Sequence, residues 1–168
     1  MRPRVRTWCL WLLVINVGIA FGAGLYEARV VVPGWMSLPV ENWPNTGLKF
    51  WVYVTTVPLT LLAIINAMAL LKDTHPRRRW WRNAIIVLAV ERVATFSYFI
   101  PGMIAMMNGE APRNEIEAAL SQWLLLNHGR HLLTLSAWLM SLKALSTPPG
   151  YRHLKGHNCG KDREQSDQ

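Results

Sequence analysis

The apolar residues of this chain are gathered into four long blocks, which short polar segments separate. The blocks cover about residues 8–27, 50–71, 80–107 and 119–145. About 20 residues cross a hydrocarbon core of about 30 Å, and a backbone in lipid must satisfy its own hydrogen bonds, as a helix does. The pattern therefore predicts an all-α integral membrane protein, a four-helix bundle that forms one transmembrane domain over residues 1–146.

Lysine and arginine are divided unequally between the segments that flank these blocks. Thirteen of the 18 lie in three segments: before the first block, between the second and third, and at or beyond the end of the fourth. Three lie in the segments on the other side. Cytoplasmic loops carry an excess of these residues, so the count predicts a multi-pass protein of the inner (plasma) membrane with both termini in the cytoplasm. Residues 147–168 are predicted to form a disordered cytoplasmic tail.

Composition agrees with this prediction. Charged residues make up 17% of the chain, against about 25% in soluble domains, which excludes a soluble globule. Topology explains the net charge of +8, so no nucleic-acid partner is expected. The outer connection between the first two blocks is long and apolar. Its Trp35 and Trp43 join an aromatic belt at the headgroups, belong to a lid over the bundle, or do both.

Polar residues inside the blocks follow one face of each helix. At about 100° per residue, one face of the fourth helix carries Trp123, Asn127, Arg130, His131, Thr134, Trp138 and Ser141. The third helix places Glu91, Thr95 and Tyr98 on one face, with Arg92 on its flank. The first helix offers Asn16 and Glu27 on one face, and Pro58 predicts a kink in the second. These faces must look inward, because lipid does not accommodate them.

Glu91 and Arg130 are expected at the same depth, about 16 Å from opposite boundaries at a rise of about 1.5 Å per residue. An ion pair between them is therefore allowed. A charge at the bilayer centre costs about 2.5–3.5 kcal/mol, whereas a polar contact between membrane helices contributes about 0.6 kcal/mol. This imbalance favours a functional pocket over a purely structural network. Two arginines facing one glutamate favour an anionic, otherwise apolar ligand.

A metal site is disfavoured. Two histidines and a carboxylate, here His128, His131 and Glu91, have the composition of a non-haem iron site. His128 lies on the flank of its helix, however, and the guanidinium of Arg130 would oppose a bound cation. We therefore predict no metal and no cofactor.

The run Trp123-x-x-x-Asn127-x-x-Arg130, on a last helix that ends in Ala144-Leu145, resembles the anthrone oxygenase-like family of small four-helix membrane proteins. The first helix is also similar, with Gly18, Gly22 and Gly24 leading into an apolar segment that contains Pro33 and Trp35. Thr95 and Pro101 match a Thr…Pro stretch of the third helix. The resemblance covers about residues 8–146.

The resemblance implies a cofactor-independent oxygenase of anthrone-like or quinol-like substrates, with molecular oxygen as co-substrate. Arg130 would stabilise the substrate anion, Asn127 would donate a hydrogen bond, and Glu91 or His131 would be the base. Trp123 and Trp138 would stack on the ring of the substrate. The remaining expected substrate-binding residues are Thr134, Thr95, Tyr98, Arg92 and Asn16.

Two other functions stay open at this stage. One is a non-catalytic binder or carrier of a lipophilic anion. The other is a structural subunit whose Glu91 and arginines pair with the helices of a partner. The expected partners are the lipid bilayer and a lipophilic aromatic or anionic small molecule, and the sequence leaves homo-oligomerisation open.

Overall fold

Four helices, α1 to α4, account for most of the structure. The computed structural model describes residues 3–36, 38, 39, 42, 43, 48–71, 75–108 and 112–147, and these residues contain no strand. The all-helical prediction is thus confirmed. Within the described residues, three helices are long and apolar enough to cross a membrane, over Arg4–Trp35, Trp51–Leu71 and Arg78–Met107. The predicted tail lies outside the described residues from residue 148 onward.

Three of the four helices contain a π-helical turn. Helix α1 comprises Pro3–Tyr26, the π turn Glu27–Val31 and Val32–Met36. Helix α2 comprises Leu48–Phe50, the π turn Trp51–Thr56 and Val57–Leu71. Helix α3 comprises Arg78–Ala94, the π turn Thr95–Phe99 and Ile100–Met107. Helix α4, Arg113–Ser146, is α-helical throughout.

A proline explains the position of each π turn. Pro33, Pro58 and Pro101 each lie two residues beyond the end of such a turn. Proline has no N–H, and its ring clashes with the carbonyl four residues earlier, so the preceding turn widens. Four residues before Pro58, the Val54 carbonyl accepts a hydrogen bond from Asn16 Nδ2 at 3.1 Å instead. The sequence predicted an irregularity only at Pro58.

The helices form a ring in which each packs on its neighbours in the chain and α4 returns to α1. One end of this ring, the basic end, carries Arg4, Arg78, Arg79, Arg82 and Lys143. The opposite end, the aromatic end, carries Trp35, Trp43, Phe99 and Trp123. The basic-end core contains Leu10, Leu13, Val17, Leu59, Trp81 and Leu88, and the aromatic-end core contains Val32, Trp43, Phe99, Met106, Ile116, Leu120 and Trp123. A polar layer separates the two cores.

Helix α1 ends at Met36, not at about residue 27 as the sequence predicted. The apolar residues 30–35, expected in a long loop, are helical because the fully buried Val32 packs into the aromatic-end core. The first connection is correspondingly shorter. Trp43 stacks on Trp35 with ring centroids 5.4 Å apart, and its indole Nε1 donates to the Trp35 carbonyl at 2.9 Å. Trp43 therefore covers the aromatic end, where the sequence allowed a lid.

Candidate functional site

A charged layer lies between the two cores and is built on Glu91. We define it by Glu27, Glu91, Arg92, Asn127, Arg130 and His131. Glu91 is almost completely buried. Arg92 Nε donates to Glu91 Oε2 at 2.6 Å, and Arg92 Nη2 donates to Oε1 at 2.7 Å. Thr95 Oγ1 also donates to Oε1, at 2.9 Å.

The ion pair between Glu91 and Arg130 is present but long. Arg130 Nη1 lies 3.9 Å from Glu91 Oε1. The main partner of Glu91 is thus the adjacent Arg92, which the sequence placed on the flank of the helix. Both oxygens of Glu91 are engaged, so this carboxylate holds the two arginines in place.

Arg130 is fixed mainly by its own helix and by α3. Its Nε donates to Asn127 Oδ1 at 2.7 Å, and Asn127 is fully buried. Its guanidinium lies over the Phe99 ring, 5.1 Å from the centroid. Its carbonyl accepts a hydrogen bond from Thr134 Oγ1 at 3.0 Å. The side chain is therefore preorganised, which is what electrostatic stabilisation of an anion requires.

His131 lies against the backbone of α1 at Gly24. A Cβ at this glycine would be 2.5 Å from His131 Cε1 and 2.9 Å from Nδ1, so only glycine leaves room for the imidazole. Gly22, by contrast, faces open space. The resemblance included both glycines, and the structure gives a site-building role to Gly24.

Glu27 is a second carboxylate of the layer. It begins the π turn of α1, it is buried, and it interacts electrostatically with Arg130. The sequence pattern placed Glu27 on the inward face of its helix, but the predicted charge balance set only Glu91 against the two arginines. With both carboxyl groups ionised, the two glutamates balance Arg92 and Arg130. With Glu27 protonated, one positive charge is left over.

Three buried nitrogen atoms of the layer have no hydrogen-bond partner in the described part of the chain. They are Arg92 Nη1, Asn127 Nδ2 and His131 Nε2. Isolated polar atoms of this kind also occur in the other half of the bundle, on Asn66, Trp81 and Ser141. Those of the charged layer differ because their side chains adjoin Arg130: Asn127 accepts its hydrogen bond, Arg92 shares Glu91 with it, and His131 follows it in the chain.

A small cavity opens at this point, with a volume of about 20 Å³. It is lined by Ala20, Trp51, Thr55, Thr56, Glu91, Arg92, Arg130, His131 and Thr134. One water-sized molecule needs about 10–15 Å³, whereas small-molecule sites usually measure about 300–1,000 Å³. A flat aromatic ligand therefore enters only if the helices move apart.

The structure brings together most of the predicted site residues. Those at the layer are Glu91, Arg92, Thr95, Asn127, Arg130, His131 and Thr134. Tyr98 is not among them, because its side chain is exposed and Phe99 is buried in its place. The π turn Thr95–Phe99 causes this one-residue shift, since it contains more residues per turn than the α-helix assumed in the sequence analysis.

Three further predicted residues lie away from the cavity. Trp123 is in the aromatic-end core, where its Nε1 donates to the Phe99 carbonyl at 3.1 Å. Trp138 packs on the opposite side, next to the basic-end core and against Gly18. The two indoles thus do not flank one ring-sized space. Asn16 is engaged with the backbone of α2.

Sequence reasoning did not assign to the site several residues that the structure places at the layer: Gly24, Trp51, Thr55, Phe99 and Glu27. Thr55 and Phe99 lie within π turns, where counting at a constant angle fails. The signal that marks these turns is the proline that follows each of them.

Comparison of the chain with protein-family models, with curated proteins and with solved structures gives no match. The resemblance to the anthrone oxygenase-like family therefore stays a prediction. The chemistry of the charged layer itself carries the functional argument.

Proposed function

We propose that the protein is an integral membrane protein in which α4 is the fourth span, with the basic end and both termini in the cytoplasm. Leucines dominate the outward face of α4 beyond residue 124, where His128 is also exposed: the exposed fractions of Leu125, Leu132 and Leu139 are 73%, 65% and 54%. Large apolar side chains at such exposure fit lipid better than water. Arg130, the only lysine, arginine, aspartate or glutamate between Glu117 and Lys143, points inward, so it lowers the mean hydropathy of α4 without exposing a formal charge to lipid.

We propose further that the charged layer binds the oxyanion of a flat, lipophilic phenol or enol. The unpartnered donors Arg92 Nη1 and Asn127 Nδ2, on side chains that adjoin Arg130, carry this proposal, because an oxyanion supplies the acceptors they lack. Arg130 and Asn127 are the anion-binding groups. Binding requires the bundle to open, and α1, α2 and α3 each contain a π turn, a feature that is frequent at functional sites.

Glu27 or His131 is the proton acceptor in this proposal. A neutral substrate crosses lipid more easily than an anion, so it loses its proton inside the site. Transfer of that proton to Glu27 leaves one net positive charge on the layer, which the new oxyanion balances. Glu91, with both oxygens engaged by Arg92 and Thr95, serves as a positioning residue.

The proposed activity is a cofactor-independent oxygenase of anthrone-like or quinol-like substrates. The deprotonated, electron-rich ring gives electrons to molecular oxygen. In an anthrone, one oxygen atom becomes the new ring carbonyl and the other leaves as water, so atoms and electrons balance without a further reductant.

The test is oxygen uptake by the detergent-purified, chelator-treated protein with a hydroxylated anthrone. Arg130→Leu is expected to lower the rate at least about a hundredfold, the usual effect of losing one oxyanion donor. Arg113→Leu is the matched control: it removes an arginine from the same helix that is exposed and paired with Glu117. Its rate is expected to stay unchanged.

Uptake no faster than the uncatalysed background would reject the oxygenase. The absorbance spectrum of the anthrone then distinguishes the remaining functions. An anion spectrum that appears with the wild-type protein and is lost in Arg130→Leu would identify a non-catalytic binder.

A structural subunit is the second candidate, and the small size of the cavity favours it. In that case Glu91→Gln abolishes co-purification with a partner protein, and no anion spectrum appears. A wild-type protein that purifies alone from its native membrane would contradict this candidate.

A further inference from the structure

An open groove runs along the outer face of α1 at the basic end. Its volume is about 820 Å³, within the usual range of about 300–1,000 Å³ for small-molecule sites. The described residues that line it come from α1, from the segment just before α3 and from the end of α4. The groove is remote from the charged layer and shares no residue with its cavity.

The floor of the groove is an apolar stripe. Trp8, Trp11, Leu12 and Ile15 follow one another at helical spacing, and between 47% and 67% of each side chain is exposed. Leu145, near the end of α4, forms part of a wall. The stripe leads from the basic end toward the middle of α1, so an acyl chain can lie along it.

The mouth of the groove is cationic. Arg4 and Arg77 lie there beside His75. Arg77 is held in position, since its Nη1 donates to Thr7 Oγ1 at 3.2 Å and its guanidinium lies over the Trp81 ring. Cations at one end and apolar side chains along the rest are complementary to a molecule with an anionic head and a hydrocarbon tail.

We propose that this groove binds one phospholipid with an anionic headgroup. The phosphodiester lies between Arg4 and Arg77, because guanidinium groups match phosphate oxygens in geometry and charge. Trp8 lies at headgroup level, as tryptophan does at membrane interfaces. One acyl chain follows Leu12 and Ile15.

The test is native mass spectrometry of the detergent-purified protein with phosphatidylglycerol or phosphatidylcholine of identical acyl chains. The wild-type protein is expected to prefer phosphatidylglycerol by about thirtyfold, the effect of two arginines near an anionic headgroup. Arg4→Gln with Arg77→Gln is expected to bind both lipids equally. Arg79→Gln with Arg82→Gln removes the same charge from exposed positions at the same end and is expected to keep the preference.

Equal binding of the two lipids by the wild-type protein would overturn the proposal. So would an equal loss of preference in both double variants, because general surface charge would then explain it.

A second measurement, on variants that keep all arginines, covers the case in which Arg4→Gln with Arg77→Gln fails to fold. Brominated phosphatidylglycerol in vesicles is expected to quench tryptophan fluorescence more than brominated phosphatidylcholine. The difference should vanish in Trp8→Phe with Trp11→Phe and persist in Trp80→Phe, a half-exposed tryptophan at the same end on α3. If Ile15→Cys instead cross-links two copies of the chain and the brominated lipids quench equally, a second copy covers the stripe and the proposal fails.

Discussion

Asn66 and Glu91 are both almost completely inaccessible, yet they meet the interior of the bundle in different ways. Asn66 lies on α2 beside the basic-end core. Its Nδ2 donates to the carbonyls of Cys9 and Leu62, at 3.0 and 2.8 Å. One neutral amide thereby joins α2 to α1. Glu91 instead needs two guanidinium groups and a hydroxyl, from α3 and α4, to remain buried.

The difference separates a structural polar residue from a candidate functional one. A buried amide joins two helices through their backbone carbonyls and needs no charged partner, although Asn66 Oδ1 itself has no partner among the described residues. A buried carboxylate must be neutralised by neighbouring charged groups. Each of these needs hydrogen-bond partners of its own, as Asn127 provides for Arg130. Charge inside an apolar bundle is therefore the stronger sign of function.

The sharpest test of this contrast is to replace each residue by leucine. Glu91→Leu is expected to lower the free energy of unfolding by about 3–5 kcal/mol, because Arg92 and Arg130 lose their shared carboxylate. Asn66→Leu is expected to cost about 0.6–1.7 kcal/mol, the range for neutral contacts between membrane helices. Unfolding in mixed detergent micelles, followed by circular dichroism, gives both values.

Glu117→Leu is the control for loss of a carboxylate as such. Glu117 accepts a hydrogen bond from Arg113 at 2.8 Å, but 53% of its side chain is exposed. Such surface pairs contribute about 0–1 kcal/mol. Similar losses for Glu91→Leu and Asn66→Leu would contradict the distinction drawn above.

How far the sequence predicts this layer depends on the regularity of each helix. Along α4, which has no proline, counting at a constant angle correctly buries Asn127, His131 and Thr134. Along α3 the same counting fails at Tyr98, because a π turn precedes Pro101. The angle of a residue around the helix axis also does not reveal that the long side chain of Arg92 folds back onto Glu91, its neighbour in the chain.

Gly24→Ala tests whether the charged layer depends on close packing with α1. The new Cβ would collide with the His131 imidazole, which must move. Overpacking of this kind costs about 1–3 kcal/mol. We expect that loss in the unfolding measurement and, in the oxygen-uptake assay, a lower rate.

Gly22→Ala, two residues away and facing open space, is the matched control. It is expected to leave stability unchanged or to raise it by up to about 1 kcal/mol, the difference in helix propensity. If adding His131→Ala to Gly24→Ala does not restore stability, the collision with the imidazole is not the cause.

The smallest expected effect concerns Asn16, a neutral amide that serves the backbone as Asn66 does. The Val54 carbonyl lacks its usual N–H partner because residue 58 is proline, and Asn16 substitutes for it. Asn16→Leu is expected to cost about 0.6–1 kcal/mol. The Pro58→Ala substitution restores a backbone N–H for the Val54 carbonyl, so in that background the cost of Asn16→Leu should approach zero.

A double-mutant cycle of unfolding free energies measures this coupling. Asn66→Leu, whose partners are Cys9 and Leu62, should cost the same in both backgrounds. An unchanged cost for Asn16→Leu would mean that the hydrogen bond of Asn16 does not compensate for the N–H that Pro58 lacks. The predicted contact of Asn16 with a ligand would then have to be considered again. A coupled result would instead attribute the irregular turn beside the cavity to Pro58 alone. It would also explain why Asn16, a polar residue on the inward face of α1, contributes to the fold and not to the site.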